Sequence, residues 1–394
     1  MIKVVKKVFE LESATGILLI CATFLALLIA NSGGLANYEN FFSISLPLEL
    51  KMLGISKHMT LHTWIADFLM AIFFLLVGSE LKQELTIGTL SSKAKAMLPA
   101  IGAIGGIVVP AVIFYFFNQQ QPSNLAGFAE PTATDIAFAY GVVSFFGKGI
   151  CQSLKVFLIS LAIFDDLVAI VIIALCYTKQ LHWQFLFFAF LPLFCLLILP
   201  KFYHLPKKII VFLYLFFGFC LWLAILMSGI HATIAGVVLA MCIPRQHLAR
   251  IIHTITPAVN YFILPLFIFA NSGIVLPSFS LSLFSDSLFS GVFFGLFLGK
   301  QLGVMLFCFV AIKLKIVALP KYYDANQQLT EVSWLKFYVV AIITGIGFTM
   351  SIFIGNLAFV NNPQLLDSAK IAVLYASLCS ALLAILLYYT IYTN

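Results

Sequence analysis

The sequence predicts an all-α polytopic membrane protein. Three observations carry that prediction. The 394 residues are 62% hydrophobic and 9% charged, against about 25% charged in a soluble domain. The apolar runs are long and unbroken rather than alternating, which selects helices over a β-barrel. The mean hydropathy is +1.09, so most of the backbone must satisfy its hydrogen bonds within helices.

Twelve spans are expected, at 12–32, 60–82, 96–117, 125–144, 153–177, 184–200, 208–226, 229–243, 257–275, 289–312, 336–358 and 369–391. An even number places both termini on one side. With both termini in the cytoplasm, seventeen of the 22 Lys and Arg residues lie on that side and four (Lys51, Lys57, Lys179, Lys370) on the other, with Lys300 inside a span. This is strong positive-inside bias. It accounts for the net charge of +7 without a nucleic-acid partner. The first apolar run is too long for a cleavable signal and lacks a small-residue cleavage site. Residues 1–394 are expected to form one integral membrane domain. The loop 33–59 is expected outside, where the alternation around Leu46–Met52 predicts a short β-hairpin, and the loop 313–335 is the longest cytoplasmic connection. The eight cysteines show no CxxC or Cys/His metal spacing and read as core thiols.

Within this apolar frame four charges stand out. Asp165 and Asp166 fall near the middle of the fifth span, Asp135 near the middle of the fourth, and Lys300 at the middle of the tenth. A charge at mid-membrane costs roughly 2.5–3.5 kcal/mol on insertion scales. Four at one depth are therefore expected to face one another or a hydrated cavity. Fully ionised, they sum to −2, which suits a hard cation with oxygen ligands. The two aspartates differ by about 100° in direction on a helix, so one is expected to meet the ion and the other Lys300.

Spans four and eleven also carry helix breakers: Pro131 with Thr132 and Thr134, and Gly345 with Gly347. Spans 3–5 and 10–12 thus form corresponding triplets with an interrupted middle member, entered from opposite sides. Such inverted repeats mark a transporter site. Asp135 is expected to offset facing N-terminal half-helix ends, and Lys300 facing C-terminal ends.

The stretches Phe73–Leu85, Ala133–Ala139 (ATDIAFA), Leu161–Leu167 (LAIFDDL), Ser228–Gly236, Ile263–Gly273, Gly299-Lys300 and Gly345–Ile354 (GIGFTMSIFI) resemble the NhaA family of bacterial Na+/H+ antiporters. That family is itself an example of a transporter built from inverted repeats and broken helices. The resemblance implies twelve inner-membrane helices, two of them broken and crossing. It implies Asp166 as the main ligand for Na+ or Li+, and Asp165 as its neighbour paired with Lys300. Asp135 and Thr134 would lie at the crossing, with Gly345 and Gly347 in the partner helix. It also implies electrogenic exchange of more than one H+ per Na+, activation at alkaline pH, and a homodimer formed partly through the first outer loop. No cofactor is expected. Candidate pH-response residues are Glu80, Glu84, His231 and His253. Departures from better-known relatives fall there: Gln83 replaces a basic residue, and Arg250–His253 lacks an acidic one.

Two rival readings fit less well. An intramembrane aspartyl protease needs aspartates on two facing helices and a GxGD-type motif, and no Gly-x-Gly-Asp occurs. A channel favours symmetric rings of ligands, whereas this cluster is asymmetric and contains a lysine.

Overall fold

A computed structural model describes residues 14–50, 55–146, 149–178, 181–202, 204, 206–277, 281–323 and 329–392. The terminal lysines Lys3, Lys6 and Lys7, together with Lys51, Lys148 and Lys179, lie outside these residues, as do parts of the loops 33–59 and 313–335.

In chain order the elements are α1 (Ala14–Ile29), α2 (Leu35–Phe42), the strands β1 (Leu48–Leu50) and β2 (Ile55–Lys57), then α3 (Leu61–Thr86) and α4 (Lys93–Asn118). A 3-10 segment, Leu125–Thr132, precedes α5 (Ile136–Phe145) and α6 (Gln152–Cys176). Next come α7 (Trp183–Lys201), α8 (Lys207–Ser228), α9 (Ile234–Cys242), α10 (Arg245–Asn271) and α11 (Ser287–Lys313). The strands β3 (Lys321–Tyr323) and β4 (Leu329–Glu331) lead to α12 (Trp334–Ile343), α13 (Phe348–Ala358) and α14 (Pro363–Tyr392). β1 pairs antiparallel with β2, and β3 with β4.

Among the described residues, nine helices are long and apolar enough to cross a membrane, and α12 and α13 form a tenth candidate bent by 42°. The other two expected spans differ from continuous helices. The segment 125–144 is split by extended backbone at Ala133 and Asp135. Pro131 and the fixed φ it imposes weaken continuation there. In 229–243, Gly229 ends α8 at φ +89° and only Ile234–Cys242 is helical. Nine residues rise about 14 Å, too short for a hydrocarbon core of about 30 Å. Among the described residues, helix length and composition therefore account for nine or ten of the twelve expected spans. The expected span 257–275 also begins earlier, because the polar Arg245–Ala258 stretch is helical too. Lys370, expected on the outer face, is buried in α14.

The chain divides into two units. One comprises Met1–Cys21, Thr89–Ala169 and Leu276–Asn394; the other comprises Ala22–Gly88 and Ile170–Val275. In the first, α4 packs along α11, and α14 packs on α11, α12 and α13. The α4–α11 approach requires glycine on both sides. A Cβ at Gly105 would stand 2.2 Å from the Gly303 carbonyl oxygen, and one at Gly303 would stand 2.1 Å from that of Gly105. Small residues allow such backbone contact, which replaces the hydrophobic driving force missing between helices in lipid. In the second unit, α3 packs on α9 and α10, and α8 on α7 and α9. Trp64, Phe68, Phe219 and Trp222 form its aromatic cluster.

Candidate functional site

The first unit contains two interrupted helical segments. The first passes from the 3-10 segment through Ala133 and Asp135 into α5, and the second from α12 through Thr344–Gly347 into α13. They meet at their breaks. The Asp135 N–H donates to the Ile346 carbonyl at 2.8 Å, and the Thr134 hydroxyl lies 2.9 Å from the Thr344 carbonyl oxygen. Each break thus satisfies backbone groups that the other exposes, which is how irregular backbone survives at membrane depth.

Asp135 caps two helices at once. Its Oδ1 accepts from Phe138 N–H at 2.9 Å, within α5. Its Oδ2 accepts from Thr349 N–H at 3.0 Å and Thr349 Oγ1 at 2.5 Å, at the start of α13. One negative charge therefore meets two helix N-termini, whose exposed N–H groups and dipoles favour an anion. Thr132 and Thr344 close the preceding segments by donating to Ala129 and Ala341 carbonyls, at 2.7 and 2.6 Å.

Beside the crossing, α6 and α11 bring the remaining charges together. Lys300 Nζ donates to Asp165 Oδ2 in a salt bridge, and the Thr134 hydroxyl is 2.7 Å from the same oxygen. The second oxygen of Asp165, Oδ1, accepts no hydrogen bond among the described residues. Asp166 acts electrostatically on Lys300. Asp135, Asp165, Asp166 and Lys300 are 1%, 2%, 1% and 0% exposed, so solvent does not screen them. An ion pair so placed has a large desolvation cost, repaid only by close geometry and further hydrogen bonds. Among the described residues no three Asp, Glu, His or Cys side chains are grouped to hold one metal ion together. A cation would therefore also need neutral oxygens, and Thr134 Oγ1, 2.7 Å from Asp165 Oδ2, is one such neighbour.

Gly345 and Gly347 lie where α12 gives way to α13. A Cβ at Gly345 would be 2.7 Å from Ser380 Oγ and 2.8 Å from the Leu296 carbonyl oxygen. The break is thus pressed against α11 and α14. The pH-response candidates belong to the other unit: Glu80 and Glu84 on α3, His231 before α9, and His253 exposed on α10.

Sequence reasoning missed three buried polar residues of this unit. Thr349 supplies two of the three hydrogen bonds to Asp135. Glu130 is wholly buried, and Lys370 nearly so. An acidic residue inside an expected span, next to Pro131, was the available signal for Glu130.

These features define a multi-pass helical membrane protein with a buried charge cluster at two crossed helix breaks. Comparison narrows the class. The family model for Na+/H+ antiporter 1 matches residues 6–388. The chain is 45% identical over 386 residues to an Na+/H+ antiporter NhaA 2 of Campylobacter jejuni, covering 96% of this chain and 97% of that protein. It is 43% identical over 393 residues to an Na+/H+ antiporter NhaA of Tolumonas auensis, covering 98% and 95%. With one of Pelagibacter ubique it shares 43% over 389 residues, covering 96% of each. The chain belongs to the Na+/H+ antiporter 1 family.

Proposed function

We propose that the protein exchanges Na+ for H+ across the bacterial inner membrane, by competition of the two ions for Asp166 and Asp165. The observation that carries this reading is the Lys300–Asp165 pair beside Asp166 and the two crossed helix breaks. With all groups ionised, Asp165, Asp166 and Lys300 sum to −1. One Na+ or one proton brings that sum to zero. A near-neutral site crosses between access states more readily than a charged one, so either ion permits alternating access and both together are excluded.

The structure has Lys300 engaged with Asp165. On this reading an incoming Na+ takes oxygen ligands from Asp166, Asp165 and Thr134 and displaces Lys300. Li+, smaller and harder still, uses the same oxygens. A second proton, held on Asp165, or on a Lys300 that gives up its own proton when Na+ displaces it, makes the proton-loaded site one charge more positive than the Na+-loaded site. Exchange is then electrogenic, and an inside-negative potential supplies about 2.3 kcal/mol per charge per 100 mV to drive Na+ outward.

Asp135 holds the two half-helices in register during this cycle. Glu80, Glu84, His231 and His253 set its pH response. The chain acts as one transporter domain with both termini in the cytoplasm. A homodimer would form partly through the first outer loop, which carries β1 and β2. The test is Na+-driven and Li+-driven dissipation of ΔpH in everted vesicles. Asp166→Asn should abolish exchange while the protein remains folded in the membrane; full exchange by that variant would refute the ligand assignment.

A further inference from the structure

Glu130 lies on the 3-10 segment and is 0% exposed. Among the described residues, neither of its carboxylate oxygens accepts a hydrogen bond. A buried carboxylate without donors is costly unless a proton or a counter-charge compensates it. The surroundings make room for it: a Cβ at Gly355 of α13 would come within 2.6 Å of Glu130 Oε1. Lys370 of α14 acts on it electrostatically without hydrogen-bonding to it. Lys370 in turn interacts with Asp367, one helical turn earlier and exposed. Asp286, ahead of α11, binds Ser368.

Glu130 is also tied to the candidate site. Ser351 Oγ donates to the Glu130 carbonyl at 2.6 Å, and Ser351 follows Thr349, which holds Asp135, by two residues on α13. The same half-helix therefore grips both acidic residues. Glu130 is thus coupled to Lys370, and Lys370 to Asp367, which is exposed near the start of α14.

We propose that Glu130 is a proton-relay carboxyl of the exchange cycle, accepting protons from the face where α14 begins and passing them toward the helix breaks, with Lys370 as counter-charge to the empty carboxylate. A proton landing on a Glu130 oxygen takes the carboxylate–ammonium couple from zero to +1. Its departure to the Asp165–Asp166 carboxylates, the proton acceptors of the proposed exchange, returns the couple to zero, and no other reactant is consumed. Ionisable chains inside membrane proteins commonly serve such proton relays. The inference rests on the Na+/H+ exchange reading. It extends that reading to a carboxyl outside the proposed ion site.

The test uses purified protein in proteoliposomes and compares wild type, Glu130→Gln and Lys370→Met. Two fluxes are measured: proton-coupled Na+ exchange across the pH range, and Na+/Na+ exchange, which needs no proton transfer. A positioned proton-transferring group contributes about 10²–10⁴-fold in rate. Because conformational steps limit many turnovers, about a tenfold loss of proton-coupled flux is expected in Glu130→Gln, with Na+/Na+ exchange retained. Lys370→Met should displace the pH profile, again with Na+/Na+ exchange retained. The infrared carbonyl band of a protonated carboxyl should appear on acidification in wild type and be diminished in Glu130→Gln. If wild type shows no proton-coupled Na+ flux, the parent reading falls and the relay with it. If wild type exchanges and Glu130→Gln keeps its rate and pH profile, the relay alone falls and the couple is structural. If Glu130→Gln does not fold, the double variant Glu130→Gln/Lys370→Met, which removes both charges of the couple, carries the test, and an unchanged rate and pH profile in that variant overturn the proposal.

Discussion

Removing the Asp135 carboxylate should destabilise the protein through two helices at once. In Asp135→Ala three donors lose their acceptor: Phe138 N–H, Thr349 N–H and the Thr349 hydroxyl. A hydrogen bond to a charged group contributes about 1.5–3 kcal/mol, so three independent bonds would sum to about 5–9 kcal/mol. They share one carboxylate and are not independent, and an N-cap replaced by Ala typically costs about 1 kcal/mol. A net loss of about 3–5 kcal/mol is therefore expected. Asp135→Asn keeps one side-chain oxygen as acceptor and should lose about 2 kcal/mol. Thermal unfolding in detergent checks the order. A loss of 1 kcal/mol lowers the midpoint by about 2–4 °C in chains of 150–250 residues, so Asp135→Ala should fall by roughly 6–20 °C and Asp135→Asn by about half as much. A midpoint for Asp135→Ala within about 2 °C of wild type would refute the double-capping argument.

Lys300→Met should cost about 3–5 kcal/mol by leaving Asp165 buried without its partner, and adding Asp165→Asn should restore most of that stability without restoring exchange; unfolding midpoints and vesicle flux test both halves. Gly105→Val should uncouple α4 from α11, since even a Cβ there meets the Gly303 carbonyl oxygen at 2.2 Å; the yield of folded protein in membranes should drop sharply, whereas Gly33→Ala, with no atom near its Cβ, should show only the smaller strain of its positive φ. Because cation binding at a carboxylate releases protons, the apparent KM for Na+ should fall as pH rises, about tenfold per pH unit for each competing proton; a KM constant from about pH 6 to 9 would refute competition.

The hydropathy and the depth of four charges were legible in the chain, because a bilayer makes every apolar run and every buried charge conspicuous. Asp135, Asp165, Asp166 and Lys300 could be nominated together because all fall near the middle of apolar segments. Pro131 and the pair Gly345 and Gly347 announced the breaks, since they weaken a helix whatever surrounds them. Glu130 and Lys370 were harder to see. One lies beside a breaker and the other near an expected span boundary, where a charge is ordinary.

What the sequence alone determined is that this chain crosses a membrane as helices, interrupts two of them, and carries acidic residues with a lysine at one depth. Only the tertiary structure decided how the charges divide their work. Adjacent residues on α6 point in different directions, so Asp165 meets Lys300 and Thr134. Asp135 turns instead to two helix ends, one of them more than two hundred residues away in sequence. Partners so distant in the chain are selected by packing, and no local pattern encodes them.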